Sequence, residues 1–179
     1  DWDSYRDTFV VSTENTATSS INKLTNDFIF YFEKGLRTNK FGIPAGVFST
    51  DELPSKVEGY YSKLYSKTLA LESLYAVKNF FIGKAFKNDA LVGDSFQSYL
   101  TFLNAKKNET NLSDLILSKL DTAISSVTEL GDDFTSQIST DNNTMLLTFD
   151  RIQSVVILLK VDMLQTLNIN VDYVDADGD

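Results

Sequence analysis

The sequence predicts an all-α protein, an up-and-down helical bundle that forms a single domain over residues 1–179. Through most of the chain, apolar side chains recur at steps of three and four residues, which is the spacing of one buried helix face. The only prolines, Pro44 and Pro54, both lie in one short stretch, so the long segments on either side carry no helix-breaking proline. Alternation of apolar and polar residues, which marks strands, is scarce.

The first predicted helix runs from Asp3 to about Leu36 and ends at Gly35 or at the polar residues 38–40 that follow. The polar run Ser12–Ser20 predicts a break within it. The apolar stripe of this helix consists of Tyr5, Phe9, Ala17, Ile21, Leu24, Phe28 and Tyr31.

Residues 38–58 are predicted to form an ordered Gly/Pro loop rather than a flexible linker. Gly42 and Gly46 permit positive φ, and Pro44 fixes its own φ and biases the residue before it away from helix. Four large apolar side chains of this loop cannot all be solvated, namely Phe41, Ile43, Val47 and Phe48. Two explanations remain open: the loop is an apolar plug on the end of its own bundle, or it contacts a partner domain or a ligand.

Three long helices and one short helix are predicted after this loop. They run from Tyr60 or Tyr61 to about Ile82, from a cap at Asp94 to about Ala105, from a cap at Asn111 to about Leu130, and from Thr140–Asp141 to about Leu167. Asp94 and Gln97 have the spacing of a capping box, residues 84–93 are expected to be a loop, and residues 132–140 a turn or short helix. The last helix has the most regular apolar seam, formed by Met145, Phe149, Ile152, Val156, Leu159 and Met163, so we expect it to be central.

Polar residues interrupt two of these apolar faces. Asn26 and Asp27 lie beside Phe28 in the first helix, and Lys160 and Asp162 interrupt the last helix. A buried Lys or Asp must be paired, because an isolated charge is costly to remove from water. These side chains therefore form ion pairs between helices, or they line a polar pocket.

The composition excludes several classes of function. A net charge of −9 argues against nucleic acid and anionic membrane surfaces as partners, because polyanions are bound by clusters of Lys and Arg. Without Cys or His the chain has no disulfide, no thiolate zinc site, no Ser-His-Asp triad and no HExxH metal site. No apolar run reaches about 18 residues, so no transmembrane segment is expected. The start lacks signal-peptide features, and Trp2 and Tyr5 share one helix face as in the middle of a domain, so we expect the natural chain to begin upstream.

The tail, residues 168–179, is polar and acidic. Asp175, Asp177 and Asp179 alternate around Gly178, as do the first ligands of a calcium loop. A complete EF-hand loop needs further ligands and a glutamate at its twelfth position. The alternatives are a solvated acidic tail or an acidic run docked on a basic residue.

Four segments give the chain a resemblance to the C-terminal half of imelysin-like proteins of Bacteroidetes. They are residues 37–49 (RTNKFGIPAGVFS), 60–67 (YYSKLYSK), 158–164 (LLKVDML) and 171–179 (VDYVDADGD). The resemblance runs over nearly the whole chain, and its specific parts are GIPAGVFS and VDYVDADGD. It implies an all-helical fold of two bundle-like halves, of which this chain would be one. It also implies a periplasmic or outer-membrane location, often as a lipoprotein, and a link to iron uptake.

The imelysin-like family is classed with peptidases, and the site implied for it lies around a GxHxxE motif in the N-terminal half. This chain has no histidine, so the motif is absent and no catalytic or metal-ligand residue is carried over. We predict a binding protein with no cofactor in this chain, iron or zinc being possible for the full protein. Its partners would be the N-terminal half and iron-uptake components. One alternative is the C-terminal half of a metallopeptidase whose motif lies upstream. Another is a purely structural helical module, which is favoured if the apolar loop packs entirely inside its own bundle.

The same resemblance gives the Gly/Pro loop a place at a cleft shared by the two halves. The candidates for this cleft or ligand-binding surface all fall at one end of the predicted bundle: Arg37, Lys40, Gly42, Pro44, Gly46, Tyr60 and Tyr61. No catalytic residue is predicted, and the only metal candidates are the three aspartates of the tail.

Overall fold

A computed structural model describes residues 1–86 and 88–173 and shows an all-helical bundle, as the sequence predicts. The helices are α1 (Trp2–Val11), α2 (Ser20–Phe30), α3 (Ile43–Ala45), α4 (Ser66–Ile82), α5 (Phe96–Phe102), α6 (Leu112–Glu129), α7 (Phe134–Ile157) and α8 (Leu164–Leu167). Two π-helical segments, Tyr31–Gly42 and Leu158–Met163, continue α2 and α7 respectively, and a 3-10 turn covers Pro54–Lys56. The strands are β1 (Lys84–Ala85), β2 (Asn88–Val92), β3 (Lys106–Lys107) and β4 (Thr110–Asn111).

The helix that begins at Ser20 does not end near Gly35, and this corrects the predicted boundary. The chain stays helical through the first π-helical segment and α3, so the first part of the predicted loop 38–58 is helix. Ile43 keeps helical dihedral angles (φ −62°, ψ −51°) although a proline follows it. The helix ends at Gly46, whose φ of +81° is the left-handed conformation that closes many helices.

Gly42 lies within a helical segment, where it allows close packing rather than a turn. Its assignment to a loop was therefore wrong. A Cβ built on Gly42 would lie 2.5 Å from Cε2 of Phe48 and 2.9 Å from Cε2 of Phe149. Both distances are shorter than the contacts that a Cβ makes with non-bonded carbon atoms, so only glycine lets these two rings approach the helix.

The core lies between α4, α6, α7 and the first π-helical segment. Every residue of the predicted seam of the last helix is buried, from Met145 to Met163, which confirms its central position. Aromatic rings fill the space between the helices: Phe41 contacts Phe134 at a centroid distance of 5.6 Å, and both are almost fully buried.

The helix termini confirm the predicted cap at Asn111 and correct the one predicted at Asp94. The Asn111 side chain accepts hydrogen bonds from the backbone N–H of Ser113 at 2.9 Å and so begins α6. Asp141 has non-helical angles (φ −154°, ψ 78°) and kinks α7, where the sequence predicts a short helix to give way to a long one. Ser95, rather than Asp94, caps α5, because Ser95 and Ser98 exchange the two bonds of a capping box.

Two segments expected to be irregular are β-hairpins. Lys84 pairs with Val92 in the first hairpin, and Lys106 pairs with Asn111 in the second. Asn108 and Glu109, at φ +48° and +65°, make the two-residue turn of the second hairpin. The other difference is the start of α4, which begins at Ser66 rather than at Tyr60 or Tyr61.

Candidate functional site

The two π-helical segments carry a buried group of polar and charged side chains, which we name the π-helical charge cluster. Its members are Glu33, Arg37 and Thr38 of the first segment, Gln153 of α7, Lys160 of the second segment, and Tyr173. π-Helical turns are rare and occur frequently at functional sites. The cluster is therefore a candidate functional site.

Glu33 is the centre of the cluster and is 1% exposed. Its carboxylate accepts hydrogen bonds from Nζ of Lys160 at 3.1 and 3.2 Å and from the hydroxyl of Tyr173 at 3.1 Å. A guanidinium nitrogen of Arg37 lies 3.7 Å away. Since a buried carboxylate must be paired, Lys160 forms the predicted ion pair between helices.

Asp162 also forms an ion pair, but on the other side of the second π-helical segment. Its carboxylate accepts a hydrogen bond from Nζ of Lys107 at 2.7 Å, and both side chains are partly exposed. This bond joins strand β3 to the second π-helical segment. The predicted ion pair between helices is thus confirmed for Lys160, whereas the partner of Asp162 lies on a β-strand.

Arg37 was predicted to line a cleft, and the structure places it inside the bundle at 2% exposure. Its guanidinium donates hydrogen bonds to Oε1 of Gln153 and to Oγ1 of Thr38, the latter at 3.2 Å. It also lies over the ring of Phe149, 5.2 Å from the centroid, in a cation–π arrangement. Because Phe149 packs edge-on against Phe48 at 6.0 Å, this ring joins the cluster to the Gly/Pro segment.

Asn26 explains how Tyr173 reaches Glu33. The buried Asn26 amide donates to the carbonyl of Asn170 at 3.1 Å, and its oxygen accepts from the backbone N–H of Asp172 at 3.2 Å. These bonds fasten the chain after α8 along α2. Tyr173 then packs edge-on against Phe30 at 5.2 Å, with its hydroxyl on Glu33.

The Gly/Pro segment folds back onto its own bundle and is held by its backbone. The N–H of Val47 donates to the carbonyl of Gly42, and the N–H of Leu53 to that of Pro44, both at 2.9 Å. Nδ2 of Asn142 on α7 donates to the carbonyl of Ala45 at 2.9 Å. These hydrogen bonds hold the segment against the end of the bundle.

The side chains of this segment divide between the core and the surface. Phe41 and Pro44 are buried, as an apolar plug requires, whereas Val47 and Phe48 remain 36% and 38% exposed. The packing is therefore substantial but incomplete. An apolar surface is left at this end of the bundle, so the structural-module alternative is only partly supported.

The candidate cleft residues lie close together along the chain path but differ in exposure. Arg37, Lys40, Gly42, Pro44 and Gly46 follow one continuous helix and its cap. Lys40 forms an ion pair with Glu58, which brings the segment containing the two tyrosines next to this helix. Tyr60 and Tyr61 contact each other edge-on at 5.2 Å, and Tyr61 is 96% exposed.

Sequence reasoning did not find Glu33, Gln153 or Tyr173. Glu33 has one local signal, because it precedes Arg37 by four residues, the spacing of an ion pair on a helix surface. Gln153 has no comparable signal, since its partner Arg37 is 116 residues away.

Metal and membrane features are absent from the described part of the chain. Within residues 1–86 and 88–173 no group of three His, Cys, Asp or Glu side chains could hold a metal ion. The predicted calcium candidates Asp175, Asp177 and Asp179 lie outside the described residues. In the same ranges no helix combines the length and the apolar character needed to cross a bilayer.

Comparison with known proteins identifies no relative. No family model, no curated protein sequence and no solved structure matches the chain.

Proposed function

We propose that this chain is the C-terminal half of an imelysin-like protein that acts as a binding protein in iron uptake. The observation that supports this proposal is a convergence of the segments that carry the resemblance. Residues 37–49, 158–164 and 171–173 are distant in sequence, yet Arg37, Lys160 and Tyr173 all surround the carboxylate of Glu33. Residues that meet at one buried carboxylate on two π-helical segments fit a specific architecture better than a generic helix packing.

The binding surface we propose is the end of the bundle around the Gly/Pro segment, facing an N-terminal half of the same protein. This end combines a firmly held backbone with exposed aromatic and apolar side chains, at Val47, Phe48 and Tyr61. Rigid aromatic residues lose little conformational entropy on binding, and tyrosines are enriched among the residues that dominate binding energies. The ring of Phe149 connects this surface, through Phe48, to Arg37 of the π-helical charge cluster.

In this proposal the chain performs no chemistry of its own, and any iron or other ligand is held between the two halves. The full protein would be periplasmic or attached to the cell surface, and iron-uptake components would be its further partners. A metallopeptidase remains the alternative, and it requires its histidine-containing motif to lie upstream of Asp1, because all 179 residues lack histidine.

The first experiment is to determine the mass and the N-terminal sequence of the intact protein from its native host. Residues upstream of Asp1 that include a GxHxxE segment and an export signal are the expected result. A mature protein that starts at Asp1 would overturn both the proposed two-half architecture and the peptidase alternative. Zinc titration and a peptidase assay on the intact protein then distinguish binding from catalysis.

The second experiment tests the binding surface itself. The two halves are produced separately and their association is measured by calorimetry. Tyr61→Ala is expected to weaken association by about tenfold or more, as for a central aromatic contact. The matched control is Tyr75→Ala, which should leave the affinity unchanged. Tyr75 is also an exposed tyrosine, at 43%, but it lies on α4. If Tyr61→Ala, like Tyr75→Ala, left the affinity unchanged, Tyr61 would be excluded from the interface.

The role in iron uptake has its own test. Deletion of the gene is expected to slow growth of the host when iron is limiting, and excess iron should restore it. Unchanged growth under iron limitation would contradict this part of the proposal while leaving the binding architecture intact.

A further inference from the structure

Helix α1 is amphipathic but contributes nothing to the core. None of its ten residues, Trp2–Val11, is buried. Trp2, Tyr5 and Phe9 follow each other at three and four residues and form one aromatic stripe, with ring centroids 6.2 Å apart at each step. Trp2 is 73% and Tyr5 60% exposed. A helix of this length is marginal in water, so an aromatic stripe of this kind indicates a partner.

The aromatic stripe continues into a groove on the body of the protein. Tyr5 and Phe9 line a cavity of about 260 Å³ together with Leu24 and Asp27 of α2. Leu24 also lines two neighbouring cavities, of about 360 and 520 Å³, and Phe80 of α4 lines both of these. We name this surface the aromatic face: the stripe of α1 with Leu24, Phe28, Tyr31, Phe80, Phe96 and Tyr99.

The aromatic face is separate from the π-helical charge cluster. Leu24, Phe28 and Tyr31 occupy one side of the helix that begins at Ser20, whereas Asn26 and Glu33 occupy the other side. Residues 170–173 cover the side with Asn26. A partner on the aromatic face therefore does not cover the side of this helix that carries Glu33.

The exposed area of this face is sufficient for a dimer. Trp2, Tyr5, Tyr31, Phe80 and Tyr99 are each between 43% and 73% exposed. At about 150–250 Å² for a complete aromatic side chain, these five rings expose roughly 400–670 Å². Two copies would bury roughly 800–1,300 Å², a range that includes the ~1,000 Å² expected of a specific interface.

The charges beside the stripe suit a second copy of the same helix. Asp3, Arg6 and Asp7 lie together on one flank of α1, so this flank carries both signs of charge. When two identical helices pack antiparallel about a two-fold axis, each flank faces the same flank of the other helix. Arg6 of one copy then lies opposite carboxylates of the other copy, and the stripes meet between them.

We propose that the aromatic face is the interface of a two-fold symmetric homodimer, with the α1 helices packed antiparallel at its centre. The two copies bury the aromatic stripe and the rim of the groove at Leu24 and Phe80. This arrangement uses the same surface on both copies, so it closes at two and does not extend into filaments.

Trp2 makes the proposal directly measurable, because it is the only tryptophan of the sequence and lies within the interface. The chain is examined by sedimentation equilibrium and by tryptophan emission over about a hundredfold range of concentration. The expected result is a reversible monomer–dimer equilibrium, with a blue shift of the emission as the dimer forms. The variants are Tyr5→Asp on α1 and Phe80→Asp on the body, each expected to weaken the dimer by about tenfold or more.

The matched control is Val11→Asp. Val11 is on α1 and is 73% exposed, like Trp2, but it lies about half a turn away from the stripe. It introduces the same charge without entering the interface, so the dimer should persist. Circular dichroism of each variant verifies that the bundle is folded.

Three results would overturn the proposal. The first is a monomer at every concentration, with unchanged tryptophan emission. The second is a dimer that Tyr5→Asp leaves intact or that Val11→Asp weakens equally, which would place the contact elsewhere. The third is a series of larger species without a limit at two, which would indicate a heterologous contact instead.

Discussion

The carboxylate of Glu33 on the first π-helical segment and the ammonium of Lys160 on the second are joined across the bundle at 3.1 and 3.2 Å. Glu33 is 1% exposed and the Lys160 side chain 16%, so the pair lies almost entirely out of water. Removing Lys160 is costly mainly because the buried Glu33 carboxylate then keeps only the more distant Arg37, at 3.7 Å, as a counter-ion.

Lys160→Met is therefore expected to lower the free energy of unfolding by about 3 kcal/mol, because Glu33 loses its nearest cation. Urea denaturation measures the loss. Adding Glu33→Gln to this variant should recover part of it, since the carboxylate that has lost its nearest cation is replaced by a neutral group. Lys119→Met, at an exposed position of α6, is the control and should change stability by less than about 0.5 kcal/mol. A loss below about 1 kcal/mol for Lys160→Met would show that the pair is not isolated from water.

Gly42→Ala is expected to lower stability by about 2 kcal/mol, because the added Cβ overlaps the rings of Phe48 and Phe149. The matched control is Gly131→Ala, where the nearest atom, Oε1 of Gln137, is 3.5 Å away and the change should be within about 0.5 kcal/mol. Thermal unfolding compares the two variants. Equal melting temperatures would mean that both rings move aside without cost.

The last long helix was predictable from its apolar seam. Apolar residues repeat at steps of three and four, so helix geometry places them on one face, and each of them is buried. The helix through Gly42 and Pro44 was not predictable in the same way. Local preferences of glycine and proline favour a loop there, and packing against Phe48 and Phe149 overrides them.

The charge cluster shows a second limit of sequence reasoning. Lys160 was recognised as a polar residue on an apolar face that needs a partner. Glu33 is 127 residues earlier, and no local pattern connects the two. Tyr173 is 140 residues from Glu33 and depends on Asn26 for its position. Pairings of this kind follow from the tertiary fold and not from any local spacing in the sequence.

Asp133 is expected to stabilise α7 in a pH-dependent manner. Burial raises the pKa of its carboxyl group, but hydrogen bonds from Ser136 and Thr135 outweigh burial and hold the pKa below its ordinary value. A pKa that is lower in the folded state stabilises the protein above the unfolded-state pKa of about 4, and this stabilisation is lost as the pH falls through the folded-state pKa.

Asp133→Ala should therefore cost about 1 kcal/mol at neutral pH, as for the loss of a helix N-cap, and less near pH ~3. Urea denaturation at both pH values measures the difference from the unsubstituted protein. Asp133→Asn keeps an oxygen that can cap the helix, so it should retain most of the stability while losing the pH-dependent part. A difference that grows on acidification would contradict the lowered pKa.

Asn26→Ala is expected to release the chain after α8 from the bundle. The substitution removes the acceptor of the Asp172 N–H and the donor to the carbonyl of Asn170, and it leaves a cavity beside α2. Lost buried hydrogen bonds of this kind cost about 2 kcal/mol. Hydrogen exchange should then accelerate at Asp172 far more than in α6. Asn143→Ala, at an exposed position of α7, should leave exchange at Asp172 unchanged. Because Tyr173 follows this anchor directly, a slow exchange of Asp172 in Asn26→Ala would mean that the Tyr173–Glu33 hydrogen bond, and not Asn26, holds the segment in place.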